Sequence, residues 1–168
     1  MKKILAFALL IILTVLIETS ILSNMYFLPA MPDLMLIMLL FISIKNGSLT
    51  GEVTGFSSGL VIDFLSATPF GLNSLVRTII GYIAGLFHLS LETSGIFSPA
   101  ILGFIATIIK ALLLLIISCF YTEQIVLYSL FSSVFWLECL FNAILAPIVF
   151  KFLSFFKVFA STYDVENF

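Results

Sequence analysis

The sequence predicts an all-α membrane protein, built as a single bundle of about six transmembrane helices that occupies residues 1–168 as one multi-pass domain. Of its 168 residues, 62% are apolar and only 10% are charged, whereas a soluble domain carries roughly 25% charged residues. Apolar stretches of about 20 residues, the length that crosses a hydrocarbon core, recur along the chain. Too few residues remain between these stretches to form a soluble domain.

Six predicted membrane segments follow from the apolar stretches. They are Ile4–Leu22, Leu34–Ile44, Val53–Leu65, Leu75–Leu91, Pro99–Cys119 and Ile125–Phe150. The second and third are short enough that length alone also fits a re-entrant hairpin. Such a hairpin would place Lys45 and Glu52 at bilayer depth, where a buried charge costs about 2.5–3.5 kcal/mol, so two short crossings are expected.

The distribution of lysine predicts the orientation of the bundle. With Lys2 and Lys3 in the cytoplasm, six crossings put Lys45, Lys151 and Lys157 on the same side, and the outer connections contain no Lys or Arg. Because basic residues concentrate in cytoplasmic loops, both termini are expected to be cytoplasmic.

Composition and motifs argue against several classes of function. A net charge of −2, with only seven Lys and Arg residues, provides no basic patch for nucleic acid. Cys119 and Cys139 lie in apolar stretches, and His88, the single histidine, has no ligand set near it in sequence, so no metal or other cofactor is expected. The chain lacks a Gly-x-Ser-x-Gly elbow and a phosphate-binding glycine loop. We therefore expect no enzymatic activity.

Small residues predict close helix packing. Four glycines spaced by four form one stripe on a helix, and two more repeat the spacing further along the chain: Gly47, Gly51, Gly55 and Gly59, then Gly81 and Gly85. In lipid, such stripes let helix backbones approach each other. The stripe is expected to pack within the chain, with a face reserved for another protein as the alternative.

Four charged residues fall inside predicted membrane segments, where charges usually pair. Asp63 and Arg77 are expected at a common depth near the outer end of helices 3 and 4. Lys110 and Glu138 are expected to meet midway along helices 5 and 6. Two separate intramembrane ion pairs are therefore predicted, and either could be structural or functional.

The stretch from residue 32 to residue 85 resembles the bacterial rod shape-determining protein family MreD. The resemblance is carried by these residues: Pro32-Asp33-Leu34; Gly51, Gly55-Phe56, Gly59-Leu60 and Asp63; Pro69-Phe70-Gly71-Leu72 and Leu75; and Gly81-Tyr82. Within this pattern, Pro69 and Gly71 are expected to form a tight outer turn between helices 3 and 4.

This resemblance implies a non-catalytic scaffold of the cell-elongation complex, located in the bacterial cytoplasmic membrane. It implies an MreC-like bitopic protein as partner, and through it a RodA-type glycan polymerase and a class B penicillin-binding protein, acting in lateral peptidoglycan synthesis. The alternative is the substrate-binding membrane subunit of an energy-coupling-factor-type small-molecule transporter. Helix 1 lacks the Ala-xxx-Ala spacing of such subunits, because Ala6 and Ala8 do not share a face.

Cysteine labelling tests the predicted orientation. In a chain freed of Cys119 and Cys139, an impermeant thiol reagent applied to intact cells should label Phe70→Cys and leave Asn46→Cys unlabelled. The opposite pattern would refute the proposed orientation.

Overall fold

The computed structural model describes residues 2–18, 30–66, 69–88, 90, 91, 93, 95–119 and 132–156. These residues form six helices and no strand: α1 (Lys2–Ile17), α2 (Leu34–Asn46), α3 (Ser48–Leu65), α4 (Leu72–Leu86), α5 (Phe97–Ser118) and α6 (Ser133–Ser154). The predicted all-helical architecture with six segments agrees with this part of the chain.

The junction between α2 and α3 is tighter than the sequence suggested. The predicted segments Leu34–Ile44 and Val53–Leu65 both extend toward each other, and only one non-helical residue separates them, Gly47, whose φ of +88° suits glycine. The polar residues after it continue as helix, since the N–H of Gly51 donates to the Gly47 carbonyl and the Thr50 hydroxyl donates to the Asn46 carbonyl. Gly47 is therefore a hinge between two helices rather than a member of the glycine stripe.

Other helix ends shift for local reasons. Helix α6 begins at Ser133 instead of Ile125, and the Ser132 hydroxyl caps it by accepting from the N–H of Val134. Helix α4 begins at Leu72, directly after Gly71 in the left-handed conformation. The parts of the predicted segments at residues 19–22 and 125–131 lie outside the described residues.

Neighbouring helices alternate in direction. Helices α3 and α4 are antiparallel, with Gly51 against Gly81 and Gly59 against Ser74. Helix α2 runs parallel to α6, because Asp33 contacts Asn142 at one end while Phe41 stacks edge-on against Phe150 further along. We call the end where α2, α4 and α6 begin the network end.

Helix α2 is the central helix of the bundle. Every residue from 35 to 44 is buried, and the helix contacts all five others. A helix that is apolar on all sides is stable only when surrounded. Its 13 residues are too few to cross a bilayer alone, since they span about 20 Å.

The glycine stripe packs within the chain, as the sequence favoured. A Cβ added to Gly51, Gly55 or Gly59 would collide with backbone atoms of α4, and one added to Gly85 would collide with Ser48. This face of α3 is therefore covered by α4 and is not available to another protein.

The distribution of polarity at the surface differs from that of a soluble protein. Charged side chains such as Asp33 and Glu138 are buried, while large apolar ones such as Phe97 (84% exposed) and Phe64 (71%) face outward. By length and composition, α5 and α6 can each cross a membrane, whereas α2 and α4 are apolar but shorter.

The packing of α3 on α4 predicts the effect of one added methyl group. Gly55→Ala should lower the free energy of unfolding by about 1–3 kcal/mol, because its Cβ meets the Arg77 carbonyl. Thermal unfolding in detergent measures this. Gly95→Ala is the matched control, since no atom of the described residues lies within 4 Å of its Cβ. Equal effects of the two substitutions would refute the close packing.

Candidate functional site

The start of α2 carries a buried side chain that contacts two other helices, Asp33. One carboxylate oxygen accepts from the N–H of Leu36 at 2.8 Å and so caps α2. The carboxylate also receives the Arg77 guanidinium, whose Nη2 lies 2.9 Å from Oδ1 and 3.1 Å from Oδ2. Lys110 Nζ lies 3.0 Å from Oδ2. One carboxylate thus joins helices α2, α4 and α5.

Lys110 extends this connection to α6. Its Nζ lies 2.6 Å from Glu138 Oε1, so the structure forms the pair that the sequence predicts. It is not an isolated pair, because the same ammonium group contacts Asp33. Arg77, Asp33, Lys110 and Glu138 therefore form one continuous chain of charges, which we call the ionic network.

Uncharged polar groups complete the contact with α6. The backbone N–H of Asp33 donates to Asn142 Oδ1 at 2.8 Å, and the Asn142 amide nitrogen donates to the Thr107 hydroxyl at 2.9 Å. Thr107 in turn donates to the Gly103 carbonyl. Both Asn142 and Thr107 are fully buried, where an unsatisfied amide or hydroxyl would be costly.

Helix α1 also reaches the network through Glu18. Its carboxylate accepts a hydrogen bond from the N–H of Met35 and lies within electrostatic range of Asp33, Arg77 and Lys110. Two carboxylates therefore face the N-terminus of α2, where the helix dipole favours negative charge.

The predicted ion pair between Asp63 and Arg77 is wrong. Asp63 instead accepts four hydrogen bonds at the start of α4, from the N–H groups of Gly71, Asn73 and Ser74 and from the Asn73 side chain. The carboxylate thus satisfies donors that the helix itself leaves unpaired. Arg77 lies one turn further along α4 and turns to Asp33.

Pro69, Gly71 and His88, which the sequence also singled out, make local contacts that hold the backbone. Pro69 and Gly71 form the expected turn, in which the N–H of Leu72 donates to the Pro69 carbonyl and Gly71 has a φ of +89°. His88 Nδ1 lies 2.8 Å from the Ile44 carbonyl and ties the end of α4 to α2. Within the described ranges, no cluster of three or more His, Cys, Asp or Glu side chains is placed to hold a metal ion.

Sequence reasoning missed Asp33 as a member of the ionic network and missed Glu18 beside it. Asp33 was noted only as part of a motif, although it precedes an apolar run in the position of an N-cap. The sequence also places Asp33 and Arg77 at the same end of the bundle, and this common depth could have identified them as partners.

Comparison with known proteins decides the family. The family model for the rod shape-determining protein MreD matches residues 1–156. The chain belongs to the MreD family. This confirms the resemblance seen between residues 32 and 85 and extends it over nearly the whole chain. No curated protein and no solved structure matches it.

Membership in the MreD family implies a role in determining rod shape. It is a family of membrane-associated shape-determining proteins and not a known enzyme family. The ionic network lies within the matched region, as do all six helices.

A double-mutant cycle tests the corrected role of Asp63. Because Asp63 and Arg77 share no hydrogen-bond partner, Asp63→Asn and Arg77→Met should change the free energy of unfolding additively, within about 0.5 kcal/mol. Denaturation in detergent provides the four values. A coupling energy well above that limit would restore the direct pair.

Proposed function

We propose that this chain is a non-catalytic, multi-pass scaffold of the bacterial cytoplasmic membrane that supports cell elongation. In this role it binds an MreC-like single-pass protein. Through that protein it acts with a RodA-type glycan polymerase and a class B penicillin-binding protein in lateral peptidoglycan synthesis. The observation that carries the proposal is the family match over residues 1–156.

The physical character of the bundle supports a membrane location. Its exterior presents large apolar side chains, and the four charged groups of the ionic network pair with one another inside. Charged groups within a bilayer are stable when they face the bundle interior and pair with one another. Alternating helices with short connections, such as the single residue Gly47 between α2 and α3, leave the described part of the chain without a soluble domain.

The same features support a scaffold rather than a catalyst. Arg77 and Lys110 each hold a carboxylate, so the buried charges are occupied with one another. The glycine face of α3 is filled by α4, so a partner is expected to contact outward-facing apolar side chains instead.

Depletion in a rod-shaped bacterium that uses this protein tests the role. Cells should become round or lyse, and a tagged wild-type copy should restore the rod shape and co-purify with an MreC-like partner from mild detergent. Depleted cells that keep their shape but lose uptake of a vitamin or another small solute would contradict the scaffold and favour the transporter alternative.

A glycine pair separates loss of folding from loss of binding. Gly55→Leu should fail to restore shape because the α3–α4 packing breaks, and its abundance in the membrane should fall accordingly. Gly95→Leu, whose Cβ meets open space, should restore shape. Normal abundance of the Gly55→Leu protein would show that this face has a role other than internal packing.

A further inference from the structure

A groove opens on the side of the bundle between α4 and α5, with α2 as its floor. Every residue that lines it is apolar. The lining includes Leu40 from α2, Ile80, Ile83 and Ala84 from α4, and Ile105 and Ile109 from α5. A groove of this kind suits a hydrocarbon chain and offers no hydrogen bond to anything else.

The groove is directed toward the ionic network. Arg77 precedes Ile80 by one turn of α4, a rise of about 4.5 Å, and Lys110 directly follows Ile109 on α5. Arg77 and Lys110 do not line the groove themselves, but on both helices the next positions toward the network end carry a cation. A molecule that extends from the groove past Ile80 and Ile109 therefore approaches positive charge.

Arg77, one turn of α4 beyond the groove residue Ile80, has hydrogen-bonding capacity left. Its residue is only 4% exposed, and Nη2 is engaged by Asp33. Within the described part of the chain, Nε and Nη1 have no hydrogen-bond partner. A guanidinium carries five N–H donors, so three of them are buried and unpaired. Buried donors of this kind normally have an acceptor, and charged donors most of all.

We propose that this groove binds one hydrocarbon chain of a membrane phospholipid, and that an oxygen atom of the lipid head accepts hydrogen bonds from Arg77. The apolar walls select the chain and the unpaired donors select the oxygen. The acceptor is either an ester carbonyl or a phosphate oxygen. The ionic network already balances two carboxylates, Asp33 and Glu138, against two cations, which favours the uncharged ester carbonyl.

This inference rests on the membrane location proposed above but not on the scaffold role. Lipid retention and cell shape are measured separately, so one proposal can be refuted while the other stands.

Native mass spectrometry of the full chain tests the groove. The protein is reconstituted in nanodiscs of phosphatidylglycerol and phosphatidylethanolamine, transferred to mild detergent and scored for retained phospholipid. Ile105→Trp should lower the retained phospholipid about tenfold, because the indole occupies the groove in place of the chain, and the loss of one buried aliphatic contact is worth about that factor.

Ile101→Trp is the matched control. Ile101 lies one turn earlier on α5, is 56% exposed against 46% for Ile105, and does not line the groove. It should retain phospholipid like the wild type. If Ile105→Trp does not fold, Ile83→Trp fills the groove from the α4 side. Equal retention in the groove and control variants, or no retained phospholipid in the wild type, would overturn the proposal.

Two further experiments test the contact between Arg77 and the lipid head. Arg77→Lys keeps a cation opposite Asp33 but lacks the additional planar donors, so it should also lose phospholipid, and unchanged retention would refute the role of Arg77. Diester and diether phosphatidylglycerol distinguish the acceptors. Preference for the diester identifies the ester carbonyl, and equal retention of both, with loss in Arg77→Lys, identifies the phosphate.

Discussion

The arrangement of the bundle depends on one buried carboxylate, that of Asp33. The carboxylate caps the central helix α2. It also forms ion pairs with Arg77 on α4 and Lys110 on α5. Leaving one member of a buried ion pair alone costs about 3–5 kcal/mol, which is comparable to the whole stability of many proteins. Because Arg77 and Lys110 reach the same carboxylate, α2, α4 and α5 can pack in few other ways.

Close backbone packing puts Arg77 where the network needs it. The glycines of α3 let α4 approach until a Cβ would collide with the Arg77 carbonyl. Asp63, at the end of α3, fixes the first turn of α4 by accepting its free N–H groups. The glycines therefore set the distance between α3 and α4, and Asp63 sets where α4 begins. Neither takes part in the ionic network.

The sequence predicted those features that depend on local pattern. The six helices, the packing of the glycine stripe within the chain, the turn at Pro69 and Gly71 and the contact of Lys110 with Glu138 follow from apolar periodicity, spacing and depth. The sequence did not identify the partner of Arg77. Asp63 and Asp33 both lie near the network end, and depth in the bundle does not tell which side of α4 the Arg77 side chain faces. The start of the third segment, predicted at Val53, was also too late, since polar residues can continue a helix when their side chains bond to the preceding turn.

A three-residue cycle measures directly whether Asp33 unites the network. Arg77→Met and Lys110→Met are made singly and together, with aspartate or asparagine at position 33, and the free energy of unfolding is measured in detergent. Asparagine keeps the cap of α2 but removes the charge. With Asp33 present, losing both cations should cost more than the sum of the single losses by about 0.5–3 kcal/mol, because the carboxylate is left buried and alone. With Asp33→Asn this excess should disappear. Additive losses in both backgrounds would show that Arg77 and Lys110 belong to separate pairs and would contradict the account.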